Sequence, residues 1–326
     1  MIIVRSPLRI SLGGGGTDHP SYFREYEGFL ISAAINKYVF VTLHQGFNDD
    51  LLVKYSKAER VRALDDIEHP VVREVLKLLN INWHGLEINT MIDIPTSAEM
   101  GASSAFTLAL LRAMHVYGRR SARTTEIAQM ASDIQLEKLR EPLGKQDQYI
   151  SAFGGVRCFR FCRDNRVESW PVTMTDEIRA NLEDSLAMFH TGLSSPARQI
   201  EQEQNERTER SDAEMLANLH YAKEVGLRMQ EALENGYLNE FGSLMDQLWQ
   251  RKRERSPGIT NRQIDEWYEL AMKNGATGGK LIGAGGGGIL LFHTKDKVKL
   301  RRAMIGSGLR EVRFNFDYEG TKVLVQ

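Results

Sequence analysis

Four consecutive glycines, Gly285 to Gly288, stand between two apolar runs in KLIGAGGGGILLFHT, residues 280–294. A second run, Gly13 to Gly16, ends an apolar N-terminal stretch in SLGGGGTDHP. Glycine costs backbone entropy, and in return it admits positive φ and the close approach of other groups to the backbone. Each run therefore marks a place where the chain turns tightly or where something lies against it. Neither fits a dinucleotide fingerprint. The first run follows a strand-like segment but leads into His19 and Pro20, and no acidic residue ends a second strand about twenty residues further on. No G-x-x-x-x-G-K-[ST] phosphate loop is present.

Residues 1–13 and 29–43 are rich in Ile, Val and Phe, and 86–94 alternates, which predicts strands in the first third. A helix over AFTLALLRAMHVYG ends at Gly118, and Thr124 or Thr125 caps a second one whose inner face is Ile127, Met130, Ala131 and Ile134. Pro142 closes that helix, and GKQDQYISAFGG reads as a loop running on past Asp147. VRCFRF and SLAMFH read as strands. EQEQNERTERSDAEM opens a long helical region in which Gly236 separates two amphipathic segments, and RQIDEWYELAMKNG is a helix stopped by Asn274 and Gly275. The tail reads as a helix, VKLRRAMIG, and a strand, EVRFNFDY.

Strands and helices mix in both halves. A chain of 326 residues suits two domains, 1–175 and 176–326, divided where helix-dominated sequence begins. With 42 basic and 43 acidic side chains the formal net charge is -1, so no global field recruits nucleic acid or an anionic membrane, and an anionic ligand must be held locally. The apolar part of MIIVRSPLRIS is too short for a signal peptide, and no membrane-length apolar run follows, so a cytoplasmic protein is expected. Cys158 and Cys162 have no second ligand pair and read as buried thiols rather than half of a metal site.

The small residues Gly101 to Ala105 immediately precede a helix, whose first backbone N–H groups and positive dipole end are free to face an anion. Ser103 or Ser104 can cap that helix or offer a hydroxyl to phosphate or Mg2+. Asp147, beside Gly144 and Lys145, is a turn residue or a general base, and Asp18 presents the same choice. The eight histidines show no metal-ligand spacing.

Taken in order, SPLRISLGGGGTDHPSYF, PTSAEMGASSAF and GGKLIGAGGGGILLF resemble the three motifs of the GHMP kinases, the family of galactokinase, homoserine kinase and mevalonate kinase. With EPLGKQDQYISAFGG, FHTGLS and LWQRKRERSPGITNRQIDEWYELAMKNGA added, the likeness is nearest to the sugar-1-kinases that act on D-glycero-D-manno-heptose 7-phosphate. The resemblance implies an α+β fold with an N-terminal domain like ribosomal protein S5 domain 2, a C-terminal ferredoxin-like domain, and an active site between them. It implies ATP and Mg2+ as cofactors and phosphoryl transfer to the anomeric hydroxyl. The product would serve nucleotide-activated heptose synthesis for surface polysaccharide. The partners implied are ATP and a small sugar phosphate, with a homodimer allowed.

Residue by residue, Asp147 matches the carboxylate that polarises or deprotonates the attacking hydroxyl, and Arg9 the cation that neutralises developing charge. Asp18 matches a sugar-hydroxyl contact, with Gly15, Gly16, Thr17, Lys145, Gln148, Gly285 and Gly286 expected around the sugar. Pro95, Met100, Gly101, Ala102, Ser103 and Ser104 match the loop that wraps the ATP phosphates. The chain departs from the family pattern at Glu99 and Ala102, where the second motif usually reads G-L-G-S-S, and at Gln135, where the Mg2+-binding glutamate falls. Ser103 then becomes the expected Mg2+ ligand, with Glu137 nearby although about 200° further round a helix. Ser195 replaces an arginine expected after TGLS, which shifts the sugar-phosphate contact to Arg198, Lys252 or Arg253. The same departures leave two alternatives: a kinase of an unphosphorylated sugar such as fucose, and a sugar and ATP sensor with weak catalysis.

Overall fold

A computed structural model describes all 326 residues, Met1–Gln326. The apolar runs of the first third become β1 (Ile2–Gly13), α1 (Pro20–Tyr26), β2 (Gly28–Gln45), the hairpin β3 (Leu51–Lys54) and β4 (Ala58–Val61), α2 (Pro70–Leu79) and β5 (Leu86–Ile92). Then come α3 (Ala102–Tyr117), α4 (Thr124–Ser132) with a π-helical turn over Asp133–Lys138, α5 (Gln146–Phe153), β6 (Val156–Phe161) and β7 (Val167–Pro171). The second half holds α6 (Asp176–Ser185), β8 (Leu186–His190), α7 (Ala197–Glu209), α8 (Ala213–Glu234), α9 (Leu238–Arg253) and α10 (Arg262–Lys273). It ends with β9 (Ala276–Leu281), β10 (Ile289–Thr294), α11 (Lys297–Gly306), β11 (Arg310–Glu311) and β12 (Lys322–Val325).

β2 is long enough to serve two strands end to end. Its first half pairs with β6 from Gly28↔Phe161 to Ala33↔Val156, and its second half with β5 from Val39↔Ile92 to Gln45↔Leu86. With β1 on its other edge, this makes an eight-stranded sheet of main order β12-β1-β2-β5-β3-β4, extended by β6 and β7. A four-stranded antiparallel sheet, β11-β8-β10-β9, forms the second half. The second sheet carries α9 and α10 against β9 and α11 against β8.

α8 leaves this second unit and lies on β1 and β2 of the first. Its Gly226 makes the contact possible, since a Cβ there would stand 3.1 Å from Gly14 Cα in the first glycine run. The main core accordingly runs from β1, β2 and α3 through α8 and α9 to Met188 and Leu291, while Trp249, Phe189, Phe292 and Tyr268 belong to a smaller core in the second unit.

Several sequence expectations need correction. Asp147 is not in a loop: Gly144 and Lys145 end the irregular stretch, and Gln146 begins α5, with Asp147 in its first turn. The alternating residues of EVRFNFDY form a strand only at Glu311. Beyond it the segment touches the first sheet through the single bridge Ile35↔Phe316 and then joins β1 as β12. α4 is capped at Arg123, whose backbone N–H donates to Glu126 Oε2 at 2.8 Å, and Ala128 replaces the half-buried Met130 on its inner face. Cys158 and Cys162 are free, buried thiols.

Candidate active site

α3 begins at a left-handed Gly101 (φ 78°), and its first backbone N–H groups face a broad cleft lined by Pro95, Gly101, Ala102 and Ser103. Small side chains here leave the helix end open to an anion, with the dipole favouring negative charge. In the same cleft Tyr55, His69 and Phe106 form an aromatic wall, Tyr55 and Phe106 each packing on the His69 ring with centroids 4.7 and 4.9 Å apart. A polyanion at the helix end and a flat ring at the wall suit a purine nucleotide. Of the remaining loop residues, Met100 is buried and Ser104 is turned inward, its Oγ donating to Gln135 Oε1 at 2.9 Å.

Arg9, in β1, joins this cleft to α5. Its backbone N–H donates to Met100 O (3.1 Å) and its Nη1 to Glu99 O (2.9 Å), while Nε and Nη2 grip Asp147 Oδ1 and Oδ2 at 2.6 and 2.8 Å. Burial works against the guanidinium charge, but Asp147 outweighs it and holds the Arg9 pKa above its ordinary value. Burial also raises Glu99, with Arg9 opposing and Asp147 adding. Gly101 is needed where it stands, because a Cβ would come within 2.9 Å of Asp147 Oδ2.

On the other side of Arg9 and Asp147 lies a more enclosed cavity. Asp18 frames it: Oδ2 accepts from Gln146 N (3.1 Å), Oδ1 from Gly16 N (3.2 Å), and the Asp18 carbonyl from Lys145 N (3.0 Å), so the first glycine run and the start of α5 are tied together. Gly144 permits this, as a Cβ would fall 1.9 Å from Asp18 Oδ2. Four atoms of the lining residues, Ser11 Oγ, His19 Nδ1, Gln146 Oε1 and Trp249 Nε1, are buried without a hydrogen-bond partner. Buried polar atoms are seldom left so, and four around one cavity fit a polyhydroxylated ligand.

The same cavity holds three cations that form no ion pair. Lys252 donates to the carbonyls of Leu281 (3.2 Å) and Gly283. Arg255 donates to Asn218 Oδ1 (3.0 Å) and Gly15 O (3.3 Å), and Lys280 stands beside them at the end of β9. Burial pushes Lys280 down to about 7, with Arg255 and Arg9 adding to it, and Arg255 down to about 10 against the pull of Asp18. Lys252 falls well below its ordinary value, by burial first and then by Lys280 and Arg255. Unpaired buried positive charge of this kind is costly unless an anion joins it.

Not every expected residue reaches the cleft. Thr17 is buried, its hydroxyl spent on Gly14 O (2.9 Å) and Phe29 O (2.8 Å). Lys145 turns away to Asn165 O (3.0 Å) over the Phe23 ring, where burial lowers it to about 8. Gln148 is fully buried, its amide 2.9 Å from Gln135 Oε1. Arg253 pairs with Asp265 at 3.0 Å on the outside, and exposed Glu137 pairs with Arg24 at 3.3 Å, so neither the sugar contact nor the metal contact reaches the cavities through them. Arg198 lines the broad cleft, not the enclosed cavity. Gly285 and Gly286 pack on Ile259 and Pro196, and the third motif reaches the cavity through Gly283 and Ala284 instead.

Sequence reasoning missed Arg255, Lys280 and Glu201. Lys280 did carry a signal, a lysine at the end of an apolar run just before the glycines. Arg255 was one of several basic residues in QRKRER, and charge alone does not say which of them faces inward. Glu201 sat unnoticed in a helix rich in carboxylates.

A dipole-backed anion loop, a clamped Arg9–Asp147 pair and a cationic polar cavity, all between two sheets, define a phosphotransferase in the making. Residues 68–155 match the GHMP kinase N-terminal domain and residues 229–308 the GHMP kinase C-terminal domain, together about half of the chain. The chain is 27% identical to the D-glycero-alpha-D-manno-heptose 7-phosphate kinase of Campylobacter jejuni over 98% of either protein. It is 24% identical, over 91% of its own length and 30% of the other, to a bifunctional fucokinase/GDP-fucose pyrophosphorylase of Arabidopsis thaliana. The crystal structure of a D-glycero-D-manno-heptose 1-phosphate kinase from Bacteroides thetaiotaomicron superposes with a TM-score of 0.82 at 22% identity, covering 100% of this chain and 99% of that one. The chain belongs to the GHMP kinases, with their two-domain α+β fold, and is an ATP-dependent kinase. No helix is long and apolar enough to cross a membrane.

Proposed function

We propose that this kinase transfers the γ-phosphoryl of ATP to the anomeric O1 of a sugar that already bears a phosphate, D-glycero-D-manno-heptose 7-phosphate, giving the 1,7-bisphosphate. The observation that carries the reading is the unpaired set Lys252, Arg255 and Lys280 beside the orphaned polar atoms of the enclosed cavity. Hydroxyls would satisfy the latter, and a distal phosphate the former. The full-length similarity to the Campylobacter jejuni enzyme supports the same substrate.

In the reaction O1 attacks the γ-phosphorus, the bond from that phosphorus to the β,γ-bridging oxygen breaks, and ADP leaves. The O1 proton passes to Asp147. A carboxylate has about four acceptor sites. Asp147 uses three of them, for Arg9 Nε, Arg9 Nη2 and a 3.2 Å contact from Gln146 Nε2, and Oδ2 keeps one for the hydroxyl. Arg9 holds that carboxylate in place and offsets negative charge between the two ligands. The α3 N-terminus receives the ATP phosphates, and the aromatic wall receives the base.

A divalent cation fits this site only with help from the nucleotide. No cluster of three acidic, His or Cys side chains is present. The Gln135 amide links Ser103 Oγ (3.1 Å) to Glu141 Oε2 (3.0 Å), so Ser103 and Glu141 would hold Mg2+ along with phosphate oxygens and water. The ion would offset charge on the β- and γ-phosphate oxygens.

The fucokinase-like alternative rests on Ser195, whose Oγ donates to Gly285 O and contributes no cation. A phosphorus NMR time course with MgATP separates the two readings, using the heptose 7-phosphate, the free heptose and fucose as acceptors. An anomeric phosphate formed only from the heptose 7-phosphate supports the first reading. Equal turnover of the free heptose, or turnover of fucose alone, overturns it.

A further inference from the structure

The nucleotide cleft and the enclosed cavity meet at a waist, and five residues line both: Arg9, Leu143, Asp147, Glu201 and Gly283. Anything handed from one cavity to the other passes these side chains. Three are charged, and two of those, Arg9 and Asp147, are committed to each other. Glu201, in the second turn of α7, has neither a hydrogen bond nor an ion pair. It feels the like charges of Asp147, Glu99 and Asp18 and the opposite charges of Arg9 and Lys252, and Arg198 of its own helix lines the broad cleft. A carboxyl without a partner at this point has a ligand as its natural partner.

We infer that Glu201 is a further catalytic residue, whose carboxyl meets a γ-phosphoryl oxygen of the nucleotide through a hydrogen bond. The inference rests on the ATP-kinase reading of the cleft but not on the identity of the acceptor. As a carboxylate, Glu201 would repel the phosphoryl group and add a third negative charge beside Asp147 and Glu99. As an acid it supplies a donor where charge must be accommodated. Its surroundings favour the acid: it stands half-buried where the two cavities meet, and burial first, then Asp147 and Glu99, push it up to about 8. The donor is therefore present below about pH 8 and is replaced by a repelling charge above it. Its place on α7 also means that the second unit contributes a group directly to the phosphoryl site.

The test compares wild type, Glu201→Gln and Glu201→Ala. The first readout is calorimetric affinity for a non-hydrolysable ATP analogue with Mg2+ from pH 6.5 to 9.5, which needs no acceptor. The glutamine variant keeps a neutral donor at every pH, so its affinity should overtake that of wild type above about pH 8, with the ratio changing about tenfold by pH 9.5. The second readout is kcat at pH 7, where Glu201→Ala should lose about tenfold to a hundredfold and Glu201→Gln less. A wild-type to Glu201→Gln affinity ratio that stays constant with pH, or a Glu201→Ala variant with wild-type kcat, overturns the inference while leaving the kinase reading intact. If wild type binds no nucleotide at any pH, the kinase reading falls and this inference falls with it.

Discussion

At the scale of the residue, the reaction centre is an economy of lone pairs and unpaired charges. Asp147 is so occupied by Arg9 and Gln146 that a single acceptor site is left for a ligand. Asp147→Asn removes that acceptor and turns an amide donor toward Arg9, so kcat should fall by about 10²–10⁴ while the fold and sugar-phosphate binding survive. Steady-state kinetics with calorimetry of the dead enzyme checks this, and an active variant would remove Asp147 from the role of base. Lys280 predicts a pH dependence. A phosphate prefers the ammonium form, and that form is lost from the free enzyme as pH rises through about 7, so affinity for the phosphorylated sugar should weaken from there upward. Lys280→Met should raise KM by about tenfold to a hundredfold and flatten the pH profile, leaving the free sugar unaffected. An unchanged profile in the variant would show that Lys280 is not the titrating group. Arg9, Asp18 and Asp147 were legible because each sits inside a recognisable local motif. Lys280, Arg255 and Glu201 come from three distant segments, and their shared cavity exists only after folding.

At the scale of the element, the glycines mark where the segments of the site touch. Gly283 carries a positive φ (83°), and a Cβ would stand 2.4 Å from Glu99 Cβ, so the third motif lies directly on the second. Gly283→Ala should cost about 1–3 kcal/mol of stability and weaken nucleotide binding together, read from denaturant unfolding and from calorimetry. Wild-type values for both would mean that the loops can separate freely. The helix α5 was misread from the sequence because Pro142 and Gly144 looked like a continuing break, whereas Asp18, more than a hundred residues away in sequence, accepts from the Gln146 N–H and supplies the start of the helix. A long-range cap leaves no local trace. The tail EVRFNFDY was misread for the opposite reason: its alternation is real, but after Glu311 pairs with Phe189 of β8 the chain leaves that edge for the first sheet, where Phe316 bridges to Ile35.

At the scale of the whole molecule, the two units are interleaved. α8 of the second half packs on β1 and β2, while β12, the last strand of the chain, returns to β1 with Val4↔Val323 and Arg5↔Lys322. A cut at residue 175 would therefore leave the first sheet without an edge strand. Deleting residues 321–326 removes that strand and the Thr321 hydroxyl that touches Ser6 (2.8 Å) and Ser151 O (3.0 Å), but it leaves both cavities untouched. The expected outcome is a Tm lower by several degrees with kcat preserved at moderate temperature, measured by thermal unfolding and assay. Loss of activity with no loss of Tm would place the tail in the site after all. Strands and helices with strong periodicity, the family, and residues whose chemistry sits within a short motif are readable along the chain, because those depend on neighbouring residues. Folding settles which cations face inward, that Glu201 stands at the waist, that Thr17, Lys145 and Gln148 turn away, and where the last strand pairs. Each of these depends on burial and on contacts between segments far apart in the chain, and even Lys280, marked locally by its place before the glycines, meets its neighbours only in the fold.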